Sequence, residues 1–418
     1  MAEQKQNDWL KITQFILSLI AFLFTTLAAA GFYAGGSVYK STLGLSDQDA
    51  TFLLSFASLW LLLSFFHINS VFQSFRKPDT FAERPSQRFN SFFIATVALV
   101  IWAAFLLLNQ LAVVQQFFTP LLPYLTPFTI WIPIGWFIEF GKRNLIPPSA
   151  RKRSAALSIS SSYGVVLILL LEMMVIALVV AGVLLYLSSQ PHIRQGMESF
   201  SIPPDLSQLN IPLLERYART LLRNPAFLVL VFLLIGLILP FIEEILKPVV
   251  IWALHRRSIS PREGFILGLY FGAAFALVES GGMVIQLGME SWVTSTLLRA
   301  ATGLLHITCS GLVGYAYAGL MQPVRSTSAA KPLLTAIALH GIWNSVAVLS
   351  SLGGLSAELG SPTLFSPKWD YVFNVAMVLL WFSAFFILRR MNKKMQENSP
   401  SLPHNENGDP GVHTFELE

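Results

Sequence analysis

The sequence predicts an all-α protein, a polytopic transmembrane helix bundle of about ten spans with both termini cytoplasmic. Three observations carry that expectation. Hydrophobic residues make up 54% of the 418-residue chain and charged residues only 12%, about half the charged share of an ordinary soluble domain. Apolar runs of about 20 residues, the length that crosses a hydrocarbon core, recur from one end to the other. Basic residues gather in every second connection between those runs, the pattern left when alternate loops stay in the cytoplasm.

In chain order the runs fall at 12–33, 50–70, 91–114, 118–139, 162–187, 226–254, 264–287, 296–320, 332–351 and 370–389. The first, ITQFILSLIAFLFTTLAAAGFYAGG, ends in small residues as a cleavable leader does. Its apolar stretch exceeds the roughly 7–15 residues of a leader's core, so it reads as a retained helix. A short uncharged turn near Gln115 separates the third run from the fourth. Arg76, Lys77, Arg84 and Arg88 follow the second run, and Lys142, Arg143, Arg151, Lys152 and Arg153 follow the fourth. Arg256, Arg257 and Arg262 come after the sixth, Arg325 and Lys331 after the eighth, and Arg389, Arg390, Lys393 and Lys394 after the tenth. The formal charge of +5 is thus explained by topology in a cell membrane. No nucleic-acid partner is expected, and the lipid bilayer is the surrounding medium. One cysteine, Cys309, leaves neither an intramolecular disulfide nor a thiolate metal motif.

Three regions follow. Residues 1–224 hold five spans and the longest external connection, about 188–225. Within it LLERYARTLLRN sets Leu213, Leu214, Tyr217, Leu221 and Leu222 on one helical face, the pattern of a helix lying in the interface. Residues 225–390 hold the other five spans, and 391–418 form a polar cytoplasmic tail expected to be disordered.

The second region is the one that carries chemistry. An Asp, Lys or Arg at membrane depth costs roughly 2.5–3.5 kcal/mol on insertion scales. Yet LILPFIEEILKPVVIWAL places Glu243, Glu244 and Lys247 in the sixth run, GLYFGAAFALVESGG places Glu279 in the seventh, GLLHITCSGLVGYAYAG places His306 in the eighth, and LLTAIALHGIWNSVAVL places His340 and Asn344 in the ninth. Glu243 shares a helical face with Lys247, and His340 with Asn344, because i and i+4 superpose. Small residues, Gly268, Gly272 and Gly311 among them, let these helices approach. Pro240 and Pro248 loosen the backbone around the carboxylates. Three carboxylates against one ammonium leave a surplus of negative charge that a proton or a cation must offset. Imidazoles, carboxylates and an amide oxygen suit a divalent metal such as zinc, and the carboxylates also suit a general base. Single polar groups in the other spans read differently. Glu172, in LLLEMMVIAL, has no companion motif and reads as structural; Glu139, beside Lys142 and Arg143, reads as interfacial.

At these residues the chain resembles the PrsW-type intramembrane metalloproteases, relatives of the CAAX-prenyl protease and bacteriocin-processing group. EEILK (Glu243 to Lys247) matches EExxK, FALVE (Phe275 to Glu279) matches FxxxE, and HGIWN (His340 to Asn344) matches HxxxN, with His306 on the helix between. The likeness covers roughly 225–350 and leaves the first five spans unassigned. It implies hydrolysis of a peptide bond in a membrane protein or peptide substrate by a glutamate-activated water. On that resemblance Glu243 or Glu244 is the base, Lys247 steadies the pair, Glu279, His340 and Asn344 bind the metal or hold the water, and His306 is a further ligand or an oxyanion donor. Two other classes compete: an ion- or proton-coupled transporter, which should place polar or broken helices in both halves, and a non-catalytic scaffold, which has no need of both carboxylates and both histidines.

Overall fold

The computed structural model describes residues 2–38, 40, 42, 44–76, 85–189, 219, 221–248, 259–287, 292–322, 329–358 and 369–397. Every regular element among them is helical. Helix α1 (Ala2–Tyr33) widens into a π-turn at Ala34–Val38, and α2 (Asp47–Phe75) begins at a capping box in which Ser46 and Asp49 satisfy each other's backbone amides. Next come α3 (Pro85–Leu108), short α4 (Ala112–Phe118) and α5 (Leu122–Gly141), then α6 (Ala150–Ile159), which runs through a π-turn at Ser160–Gly164 into α7 (Val165–Ser189). Helix α8 (Pro225–Leu233) passes through another π-turn, Leu234–Ile238, into α9 (Leu239–Leu246). The last four are α10 (Pro261–Leu287), α11 (Trp292–Leu320), α12 (Ala330–Glu358) and α13 (Trp369–Glu397).

Ten stretches among the described residues are long and apolar enough to cross a membrane, so the chain is a multi-pass membrane protein. Most of the amphipathic segment expected at 213–222 lies outside the described residues, as does the tail from 398 onward. One boundary needs correction. The last helix does not give way to tail at 391 but continues to Glu397. The reason is packing: Met391 and Met395 are buried, and the Asn392 amide donates to the Gly141 and Arg143 carbonyls at 2.8 and 2.9 Å.

Contacts between helix ends gather the basic connections on one side of the bundle. The Gln14 amide of α1 reaches the Arg151 carbonyl of α6, Lys152 pairs with Glu263 of α10, and Gln322 after α11 donates to the Ile259 carbonyl before α10. Asn392 of α13 joins the end of α5 to the same side. Glu139 sits there too, paired with Lys142 at 2.7 Å.

The core is the pair α10 and α11, whose membrane windows are each 83% buried. These helices touch backbone to backbone. A Cβ on Gly268 would lie 2.2 Å from the Ser310 carbonyl oxygen, and one on Gly272 would lie 2.4 Å from that of His306. Glycines four apart therefore form the groove that seats the His306 turn, the small-residue packing that lipid-embedded helices use in place of a hydrophobic drive.

Candidate active site

Four helices bring the ionisable groups together. Glu243 and Glu244 lie on α9 with Lys247 at its C-terminal end, Glu279 on α10, His306 on α11 and His340 on α12. Ligating atoms of Glu243, Glu244, His306 and His340 all lie within 4.8 Å of one another, and all four residues are buried.

Lys247 is the hub. Its Nζ lies 2.7 Å from Glu244 Oε1, 2.8 Å from Glu243 Oε2 and 3.1 Å from His306 Nδ1. The Phe275 ring closes the other side, with Nζ 4.2 Å from its centroid and the His306 ring edge-on at 5.1 Å. Phe275 of the FALVE motif is thus the apolar wall that holds the ammonium and the imidazole in place.

The hydrogen bonds fix both imidazoles. An ammonium only donates, so His306 Nδ1 accepts from Lys247, and Nε2–H donates to Glu279 Oε2 at 2.7 Å. For His340, Nδ1–H donates to Glu244 Oε1 at 2.9 Å, which leaves the Nε2 lone pair free, 3.8 Å from Glu243 Oε1. The two rings meet at 88° with centroids 5.0 Å apart. Glu244 Oε2 is buried with no hydrogen-bond partner, and Glu243 Oε2, although ion-paired with Lys247, has none either.

Glu279 stands apart from the four. It is held by His306 and by Arg299 of α11, whose Nη2 lies 2.8 Å from Glu279 Oε2 while its Nε donates to Ser280 Oγ. Asn344 is also drawn elsewhere. Pro240 has no N–H, so in the π-turn register, where Leu239 N–H reaches the Leu234 carbonyl, the Ile235 carbonyl has no backbone donor. The Asn344 side-chain amide donates to that carbonyl at 3.4 Å. A Cβ on Gly341 would lie 2.1 Å from the Gly236 carbonyl oxygen, so α12 lies directly against the π-turn.

Sequence reasoning missed two members. Glu172 of α7, expected to be structural, has its carboxyl near enough to that of Glu243 for the two to interact, and its buried Oε1 has no donor among the described residues. Arg299 went unremarked, although it sits seven residues before His306 and therefore on the same helical stripe. Together they change the charge balance without changing its surplus: Glu172, Glu243, Glu244 and Glu279 face Lys247 and Arg299.

The donor set fits a borderline dication. A bare imidazole nitrogen on His340, a Glu244 oxygen that no described donor reaches and the Glu243 carboxylate beside them are the ligand types zinc takes. Both nitrogens of His306 are already engaged, so its entry into a coordination shell requires Lys247 or Glu279 to release it.

No curated protein and no solved structure matches the chain. Residues 208–384 match a family model described as PrsW family intramembrane metalloprotease. That stretch runs from before α8 into α13 and contains Glu243, Glu244, Lys247, Glu279, Arg299, His306, His340 and Asn344, while Glu172 lies outside it; over the helices that build this site, the chain is similar to that family.

Proposed function

We propose that the chain is a PrsW-type intramembrane metalloprotease that hydrolyses a peptide bond of a membrane protein or peptide in the cell membrane. The observation that carries this reading is the buried group Glu243, Glu244, His306 and His340, whose ligand atoms lie within 4.8 Å of one another and include a Glu244 oxygen that no described donor reaches.

Each residue has a role that follows from its contacts. Glu243 is the base that takes the proton of the attacking water; it is the carboxylate that faces the bare His340 Nε2. Glu244 has no exposed surface and is committed to Lys247 and His340, so it sets the His340 tautomer and does not meet substrate. Lys247 balances the carboxylate pair. Glu279, tied to Arg299, orients His306 through Nε2, as a carboxylate orients a metal-ligating histidine. Asn344 holds the π-turn that aims Glu243, a positioning task and not a ligand's. A single proton between Glu172 and Glu243 gives both carboxyls a partner. Glu244 and His340, joined by His306 once Lys247 or Glu279 releases it, would hold a dication, which when bound supplies Lewis-acid polarisation of water and of the scissile carbonyl while Glu243 stays free as the base.

The test is reconstitution of the purified chain with tagged single-span membrane peptides. Wild type should cleave at least one, lose activity to a chelator and regain it with Zn²⁺, and elemental analysis should find about one ion per chain. Full activity with substoichiometric metal and no response to chelator would remove the metal from the proposal. Absence of cleavage across the set, with no bound metal, would overturn it.

A further inference from the structure

We propose that a second site, on the side of the bundle that carries the basic connections, binds the phosphate headgroup of an anionic phospholipid. A cavity of about 650 Å³ opens between the ends of α11, α12 and α13, and none of the residues of the carboxylate cluster lines it. Four cations line it, Lys331 from the first turn of α12 and Arg390, Lys393 and Lys394 from the last turns of α13. All four are exposed, and the one carboxylate in the lining, Glu397, lies 4.0 Å from Lys393. Among the described residues, that leaves three cations without an opposing charge in the cavity.

The arrangement is more than a scatter of topogenic charge. Arg390 and Lys394 are four apart and share a face of α13, and the Lys394 ammonium is held over the Tyr315 ring, 4.8 Å from its centroid. Lys331 enters at the N-terminal end of a 29-residue helix, where the backbone carries partial positive charge of its own. Arg389, the immediate neighbour, is exposed but outside the cavity, although it serves membrane topology equally well. Topology alone therefore accounts for the charges but not for their convergence.

The rest of the lining selects the source of the phosphate. Leu312 and Met391 are buried and Ile387 is half-buried, so the cationic mouth continues into an apolar wall. A free phosphate ion has no use for that wall. A phospholipid does: its phosphate meets the cations while its glycerol and first methylenes meet Leu312, Ile387 and Met391. Basic pockets between transmembrane helices are a recurrent way to hold such headgroups. The inference stands whether or not the chain proves to be a protease.

The test titrates the full chain in detergent with short-chain phosphatidylglycerol, with phosphatidylcholine and inorganic phosphate as separate arms, and reads lipid retention by native mass spectrometry. Phosphatidylglycerol should bind and phosphatidylcholine should not. Arg390→Ala/Lys394→Ala should weaken phosphatidylglycerol binding by about tenfold or more, whereas the charge-matched Arg76→Ala/Arg389→Ala should change it by less than about twofold. Should the first double variant fail to fold, Lys331→Glu gives the same expected loss from another helix. Equal weakening by both doubles would overturn the site in favour of diffuse surface charge. Displacement of the lipid by equimolar inorganic phosphate would overturn the assignment to a lipid.

Discussion

Where α1, α2 and α6 meet, the bundle buries polar groups that are neutral and linked in one chain of hydrogen bonds, with His67 Nε2 left over at its end. The Gln14 amide donates to Ser70 Oγ at 3.0 Å, Ser18 donates to Ser70 at 2.9 Å, and Ser158 donates to Ser18 at 3.1 Å. His67 Nδ1 completes the chain at 2.8 Å from Ser158 Oγ. Where α7, α9, α10, α11 and α12 meet, the buried groups are charged, their surplus is negative, and carboxylate oxygens remain without donors. Both clusters tie helices together in a medium that offers no water. The first leaves one neutral nitrogen, His67 Nε2, without a partner among the described residues; the second gathers four ligand-bearing residues within 4.8 Å and a charge surplus, and at several kcal/mol per unsatisfied or unbalanced group that arrangement persists only if something else completes it. A buried histidine therefore says little by itself: His67 and His340 are both buried in the bundle, and what separates them is the company they keep.

The comparison breaks first at the carboxylate pair. Glu243→Gln and Glu244→Gln should each reduce turnover of a reconstituted membrane substrate by about a hundredfold or more while expression and membrane insertion stay intact. Full turnover in both variants would place this cluster in the same structural class as the hydroxyl chain.

Glu172 sharpens it. Glu172→Gln keeps a hydrogen-bond donor beside Glu243 and should change turnover little, whereas Glu172→Leu removes the donor and should lower kcat about tenfold with KM unchanged. Equal kcat in the two variants would return Glu172 to the structural role that its sequence context suggests.

A smaller effect is expected at Asn344. Asn344→Ala leaves the Ile235 carbonyl without a donor, so melting temperature should fall by an amount corresponding to about 1–3 kcal/mol, and bound metal should stay near the wild-type level. Loss of metal in that variant, without loss of stability, would make Asn344 a ligand after all.

The smallest lies in the neutral cluster. Ser158→Ala should cost about 0.6 kcal/mol of stability, the average for a hydrogen bond between membrane helices, and leave proteolysis unchanged. A collapse of activity with stability intact would show that the hydroxyl chain also serves the reaction.

Much of this was legible in the residues. Apolar runs fix spans because a bilayer penalises anything else, and charged residues inside such runs announce themselves, which is why Glu243, Glu244, Lys247, Glu279, His306 and His340 could be picked out together. Glu172 could not, since one carboxylate in an apolar run looks the same whether it faces a partner helix or a reaction. Arg299 could have been found by counting two helical turns back from His306. Asn344 was legible as a motif but not in its task, because that depends on the carbonyl left without a donor by Pro240 and on a π-turn that no pattern displays. The extra turns of α13 were missed because basic residues at 389–394 mask the i, i+4 spacing of Met391 and Met395.

The most direct test of the central claim needs no known substrate. Membrane fractions from cells expressing wild type or Glu243→Gln at equal levels would be compared for newly exposed protein N-termini by mass spectrometry. New termini within or beside transmembrane segments, present with wild type and absent with the variant, are the predicted result. Identical sets of termini from the two, with both chains folded and inserted, would contradict the reading of this cluster as a proteolytic centre.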